Sequence, residues 1–324
     1  MIEIVLQIII TLLVLFITIF FTIPYIFLHC KAFKNRFLFS GVINYPSKKD
    51  KYLGDPTKFG LEQTANHVLE VVSDEKGSKT TGKLGMWVIE PQENAERQNV
   101  LILYCHGASS NRGKPHRIEF YKVFQSLGYT VVTFDYRGFG DSKGCRPSDA
   151  TVETDCRRVL EWAISRFPQY QVVVWGHSLG SGISTKFLHS LQSENSQFLE
   201  KVRGLILESA FISAEEAAKN FPAAKYWNYF TITRDRIPKS MKGIFPTVNL
   251  LPQLQLPVLL VHAVDDHTIP HQHSVVLKET CCDKGKGDVE LYSASSGQHR
   301  FVHKDSAATD AAHRFIQSIN LVFN

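Results

Sequence analysis

Residues 171–182 read QVVVWGHSLGSG. A short β-rich run from Gln171 to Trp175 meets Gly176-His177-Ser178-Leu179-Gly180 and passes into a helix-forming stretch that continues to Leu191. G-x-S-x-G between a strand and a helix sets a serine on a turn so sharp that its hydroxyl stands clear of the backbone. Strand and helix then approach so closely that positions 176 and 180 of this elbow call for glycine.

The same alternation extends outward in both directions. Strands are predicted around Leu69–Val72, Met86–Ile89, Val100–Leu103, Tyr129–Phe134, Val172–Trp175, Leu205–Leu207, Val258–Val261 and Val289–Tyr292. Helical patterns fall at His116–Leu127, Ala150–Arg166, Leu179–Leu191, His271–Glu279 and Asp305–Ile319. Short β-rich runs separated by helix-length segments imply an α/β fold with a doubly wound, mostly parallel sheet, whose chemistry sits at the carboxyl ends of the strands.

Three constellations fall at those ends. A serine hydroxyl is a poor nucleophile at neutral pH and needs a histidine base oriented by an acid, which here should follow in the order Ser, acid, His. The strand LPVLLVHAV is followed by Asp265 and Asp266. Asp266 heads D-x-x-I-P and is taken as the acid, with Asp265 as a turn former. After the strand DVELYSA, the small-residue loop Ser-Ser-Gly-Gln-His299 supplies the base; His303, four residues on, is the competitor at the opening of a helix. His262, His267, His271 and His273 are expected to be solvated or packed, and neither a metal site nor a cofactor is expected. The tetrahedral intermediate also needs an oxyanion hole. Backbone N–H groups of Ala108, in the turn His106-Gly107-Ala108 after the strand LILYC, and of Leu179, just past the nucleophile, are the candidates. The stretch Asp135-Tyr136-Arg137-Gly138-Phe139-Gly140-Asp141-Ser142 is assigned to loop architecture, with an Asp-Arg pair supporting it.

The 324 residues are 44% hydrophobic and 21% charged, which excludes a largely disordered chain. A net charge of +5 without long basic blocks argues against a nucleic-acid binder. Six cysteines with no CxxC pair describe neither a disulfide scaffold nor a zinc ribbon. The amino-terminal stretch is different. Between Glu3 and Lys31 there is no Asp, Glu, Lys or Arg, and the run is long enough to cross a bilayer as a helix. A signal peptide would want a basic start, a shorter apolar run and a small-residue cleavage site. Pro24 is expected to kink or end the span, and Lys31, Lys34 and Arg36 to meet anionic headgroups. The chain therefore divides into an anchor with its basic flank (1–36), a stalk (37–57) and a catalytic domain (58–324) with a core of its own. An insertion at about 210–256 holds Phe211, Phe221, Tyr226, Trp227, Tyr229, Phe230 and Phe245, an aromatic cap suited to an acyl chain or simply packed on the sheet.

From about Leu53 to Ile319 the sequence resembles the α/β-hydrolase superfamily, through HGASSNRG, EFYKVFQSLGYTVVTFDYRGFGDS, VVVWGHSLGSG, LILESAF, LLVHAVDDHTIP and GQHRFVHK. The long YKVFQSLGYTVVTFDYRGFGDS run, the anchor and Ser-Gly-Gln-His are most similar to the membrane-anchored α/β-hydrolase domain-containing protein 12 group of lysophosphatidylserine and monoacylglycerol lipases. The resemblance implies a serine lipase of the endoplasmic reticulum membrane with Ser178, Asp266 and His299 as its triad and a lipid ester as substrate. It also implies a lumenal, glycosylated domain. Yet the chain has no Asn-x-Ser/Thr sequon, and its positive flank follows the anchor, which by the positive-inside rule favours a cytoplasmic domain. Orientation and oligomeric state stay open. Two other functions share these residues: a thioesterase that removes palmitate from proteins, and a catalytically silent binding module.

Overall fold

Along the central strands successive side chains face opposite sides of the sheet, and both sides are apolar, which is why these strands read as unbroken hydrophobic runs. In β3 (Val100–Cys105), Leu101 and Leu103 enter one core, while Val100, Ile102 and Tyr104 enter the other. The computed structural model describes residues 2–40, 50–75, 78–144, 147–220 and 231–321. From the amino terminus the elements are α1 (Ile2–His29), α2 (Lys31–Ser40), β1 (Thr64–Glu75), β2 (Ser78–Ile89), β3, α3 (Pro115–Ser126), β4 (Thr130–Phe134), α4 (Asp149–Arg166) and β5 (Gln171–His177). They continue with α5 (Leu179–Ser193), β6 (Val202–Glu208), α6 (Ala214–Asn220), α7 (Thr231–Lys239), α8 (Thr247–Leu250), β7 (Val258–Ala263), α9 (Gln272–Asp283), β8 (Val289–Ala294) and α10 (Ser306–Leu321).

The eight strands form one sheet in the order β1-β2-β4-β3-β5-β6-β7-β8. β1 and β2 form an antiparallel pair, β2 joins β4 antiparallel, and every later pairing is parallel. Helices α4, α5 and α9 cover one face through residues such as Val159, Ile183 and Leu277. Helices α3 and α10 cover the other through Phe120, Phe124, Phe315 and Ile316. The two-sided cover is the doubly wound arrangement anticipated from the sequence, and all eight strands and all five helices lie where the patterns placed them.

At the amino terminus one of the two outcomes expected for Pro24 is excluded. Pro24 does not end the span: α1 continues to His29, and α2 begins at Lys31. Proline in a helix interior removes one backbone hydrogen bond. Burial of Pro24 and Phe27 accompanies the last turns. With a rise of about 1.5 Å per residue, α1 is about 42 Å long, against a hydrocarbon layer of about 30 Å. It is the one helix among the described residues long and apolar enough to cross a membrane.

The segments expected as anchor, stalk and domain pack on one another. Phe27 packs with Ala214, Ile237 and Met241 of the cap, and Leu28, Phe33 and Leu38 border the same cluster. Phe39, inside the expected stalk, is 1% exposed in the main core and meets the Phe245 ring edge-on at 6.0 Å. Lys34, expected to face headgroups, donates from Nζ to the Ser240 carbonyl at 2.9 Å. Leu53, at the other end of that stalk, is buried, and its carbonyl accepts from Trp87 Nε1 and Arg112 Nη2. Of the cap aromatics, Phe211 and Phe245 are buried against α5 around Gly182. Phe221, Tyr226, Trp227, Tyr229 and Phe230 lie outside the described residues.

Candidate active site

Between β5 and α5, Ser178 has φ 52° and ψ −118°, a conformation that a residue with a Cβ adopts only when its surroundings force it. The forcing contacts are local. The Ser178 N–H donates to the Glu208 carbonyl at the end of β6 (2.9 Å), and its own carbonyl accepts from the Ser181 N–H (2.8 Å) and hydroxyl (2.7 Å). A Cβ on Gly176 would stand 2.6 Å from the Gly180 carbonyl oxygen, and one on Gly180 would collide with the Cys105 carbonyl. Both glycines are therefore demanded by contact as the motif predicts.

The hydroxyl of Ser178 lies 2.8 Å from His299 Nε2, and His299 Nδ1 lies 2.7 Å from Asp266 Oδ2. Asp266 Oδ1 accepts from the N–H groups of Thr268 (2.8 Å) and Ile269 (2.9 Å). Burial works against charge on this carboxyl, but hydrogen bonds from His262 and His299, and from the Ile269 N–H, outweigh it and hold the group well below the usual carboxylate range. An ionised Asp266 keeps the proton of His299 on Nδ1. Nε2 is then a free acceptor for the Ser178 proton, so the arrangement can deprotonate this hydroxyl.

The structure separates the competing residues. Asp265 stays out of this chain and accepts the Gln298 N–H at 2.7 Å, tying down the loop that carries His299. His303 is turned away, with Nε2 3.3 Å from Glu119 on α3. Of the other histidines, His271 contacts Ser293 and His273 accepts from the Ile212 N–H. His262 does more than pack: its Nε2 stands 2.9 Å from the Ile269 carbonyl and 3.3 Å from Asp266, and its Nδ1 2.7 Å from Ser274 Oγ. It stands beside the Asp266 carboxylate. No group of three metal-ligating side chains occurs among the described residues.

The turn after β3 abuts the elbow: a Cβ on Gly107 would lie 3.2 Å from the Cβ of Ser178. Among the described residues neither the Ala108 N–H nor the Leu179 N–H has an acceptor, and Leu179 opens α5, where the first amides have no partner within the helix. His106 is fully buried, with Nδ1 2.8 Å from the Gly107 carbonyl. Burial and the nearby Arg117 charge push its basicity down. The loop 135–142 is architectural, but its pairing differs from expectation. Asp135 takes Arg112 of the preceding loop (2.6 Å), and Arg137 takes Asp155 of α4 (2.6 Å).

Two residues escaped sequence reasoning. Glu208 closes the apolar run LILE; burial pushes its carboxyl up to about 7, and Trp175 Nε1 donates to it at 3.0 Å. Arg117 shares a helical stripe with Tyr121 and Phe124, and a charge on an apolar stripe was the available signal.

A mostly parallel sheet with a strained serine elbow and a Ser-His-Asp chain at its carboxyl edge belongs to the α/β-hydrolase class. A family model described as alpha/beta hydrolase fold matches residues 100–244. The fold is shared with an alpha-beta hydrolase from Vibrio vulnificus (17% identity, TM-score 0.63, 88% of this chain and 92% of that one). Within the class, the chain is 30% identical to the lysophosphatidylserine lipase ABHD12 of Danio rerio over 91% of its length and 80% of the relative's. It is 34% identical to that of Macaca fascicularis over 77% of its length. The chain belongs to the ABHD12 family. It spans 64% of the Macaca relative's length.

Proposed function

We propose that this protein is a membrane-anchored serine hydrolase that cleaves the acyl ester of lysophospholipids, lysophosphatidylserine among them, and of monoacylglycerols. The observation that carries the proposal is the unbroken hydrogen-bonded chain from Asp266 through His299 to Ser178 at the elbow. The relatives' name, lysophosphatidylserine lipase, supports the substrate class. So does the packing of the apolar helix's end on the cap, since a helix crossing a bilayer there would keep the site near the surface where long-chain esters reside.

In this mechanism Ser178 Oγ adds to the ester carbonyl as its proton passes to His299 Nε2. Asp266 steadies the imidazolium, and the N–H groups of Ala108 and Leu179 receive the oxyanion. His299 then returns the proton to the leaving glycerol oxygen, giving an acyl-enzyme and the free alcohol. Water repeats the two steps and releases the fatty acid. Residence in the endoplasmic reticulum membrane, implied by the family resemblance, completes the proposal and is checked by subcellular fractionation. Ser178→Ala tests the chemistry: hydrolysis and fluorophosphonate labelling should both vanish in a protein with an unchanged melting profile. Near-normal turnover by the folded variant would refute the assignment.

A further inference from the structure

Arg117, in the first turn of α3, is 0% exposed, and among the described residues its hydrogen bonds end on carbonyl oxygens. Nη1 donates to Asn111 O (2.5 Å), and Nη2 to Ser109 O (2.7 Å) and Gly107 O (3.2 Å). Among the described residues no acidic side chain pairs with it, and its Nε is buried without an acceptor. Burying a cation without a carboxylate is costly. A neutral side chain could pack α3 more cheaply, so the charge calls for a role besides packing.

All three carbonyls belong to the turn that faces Ser178. In a planar trans peptide the C=O and N–H of one unit point in opposite directions. The Gly107 carbonyl is held by Arg117 Nη2 at 3.2 Å together with His106 Nδ1 at 2.8 Å, so the N–H of the same unit, that of Ala108, is aimed away from both. That N–H has no acceptor among the described residues. The Gly107 Cα lies close enough to the elbow that a Cβ there would be 3.1 Å from His177 Nδ1 and 3.2 Å from Ser178 Cβ. We infer that Arg117 is a positioning residue for the oxyanion hole: its guanidinium anchors the Gly107–Ala108 peptide by the carbonyl so that the Ala108 N–H is presented to the tetrahedral intermediate. This rests on the serine-hydrolase proposal above. Its charge also polarises that peptide, since hydrogen bonds in series strengthen one another in a low-dielectric interior. A fork of two Nη groups spans three carbonyls at once, which a lysine ammonium does less completely.

The test compares Arg117→Met and Arg117→Lys with the full-length protein in detergent, on a short-chain nitrophenyl ester. An alkylboronic acid serves as tetrahedral probe: Ser178 Oγ adds to boron, its proton goes to His299, and a boron-bound oxygen enters the oxyanion hole. Losing an oxyanion donor outright costs about 10² to 10³ in kcat, so disordering one should cost Arg117→Met roughly 10 to 100-fold. KM should stay within about 3-fold, boronate affinity should fall in parallel with kcat, and Arg117→Lys should recover part of both. A parallel loss of KM with boronate affinity unchanged, or wild-type kcat in either variant, would overturn the inference. If Arg117→Met does not fold, Arg117→Lys decides: kcat and boronate affinity must fall together by about 5-fold or more, and unchanged values overturn it. Ser178→Ala keeps the two levels apart. Its inactivity beside unaffected Arg117 variants refutes the role of Arg117 alone, whereas an active Ser178→Ala refutes the hydrolase proposal itself.

Discussion

Glu208 puts a titrating carboxyl in the floor of the site, and its effect on stability has a definite sign. The side chain is 3% exposed at the end of β6, Trp175 donates to it, and its backbone carbonyl holds the Ser178 N–H. Burial, with a smaller contribution from Asp266, lifts its pKa from 4.5 to about 7. Below pH 4.5 both folded and unfolded chains carry the proton, and the group contributes no pH dependence. Between 4.5 and about 7 the unfolded chain ionises while the folded one keeps its proton, so stability falls as pH rises; above about 7 the loss is complete. At about 1.36 kcal/mol per unit, the window amounts to about 3 kcal/mol by pH 8, with under about 1 kcal/mol of it in place at pH 5. Glu208→Gln keeps an acceptor for Trp175 and removes the titration. Urea unfolding of the detergent-solubilised variant and parent, followed by tryptophan fluorescence at pH 5 and pH 8, reads the difference between them. Groups common to both proteins cancel. The glutamine variant should gain about 2 to 3 kcal/mol relative to the parent on going from pH 5 to pH 8. A stability difference that is the same at both pH values, or larger at pH 5, would refute the buried-carboxyl account.

Asp266→Asn should lower kcat by roughly 10³ to 10⁴, because the amide cannot hold the required tautomer of His299. Asp265→Asn should cost far less, acting only through the Gln298 N–H that positions the same loop, and kinetics on a soluble ester will rank the two. His303→Ala, which loses its contacts with Glu119 and the Phe301 ring, should keep full activity in that assay. Deleting residues 1–22 should leave a folded enzyme that loses kcat/KM on vesicle-borne monoacylglycerol more than on a nitrophenyl ester. Deleting 1–40 should also remove Phe27 and Phe39 and destabilise the protein, by an amount on the scale of about 3 to 5 kcal/mol seen for large core truncations; thermal unfolding separates the two truncations.

The positions of Ser178, His299 and Asp266, proposed here as nucleophile, base and acid, were legible because each is fixed by backbone near it in sequence. A serine between glycines after a strand can hardly sit anywhere but on an elbow, and D-x-x-I-P turns its carboxylate onto the amides of Thr268 and Ile269 within three residues. The supports were not legible, because their partners are remote in the chain. Glu208 meets Trp175 only when β5 and β6 pair. His262 reaches Ser274 across the turn into α9. The Asp135–Arg112 and Arg137–Asp155 pairs show the same limit. The charges were visible, and the nearest-neighbour pairing in the sequence was the wrong one, since a strand end offers its carboxylate to the adjacent loop rather than to a residue two places on.

The packing of the amino-terminal segment was not legible for a related reason. Composition separates a lipid-facing segment from a water-facing domain, but it does not say what covers the apolar side chains that fall past the end of the span. Phe33, Leu38 and Phe39 follow the bilayer-length run in a segment that also carries Lys31 and Lys34. Neither headgroups nor water would cover them well, so they need a protein face, and the cap provides it: Phe39 meets Phe245, Phe33 borders the cluster of Ile237 and Met241, and Lys34 caps the Ser240 carbonyl. The end of the apolar helix and the cap therefore share one small core. A displacement of the cap relative to the sheet would have to break the Phe39–Phe245 contact or carry α2 with it. The cap is thus tied to the apolar amino-terminal helix, a connection that exists only in the packing and has no signature in either segment read alone.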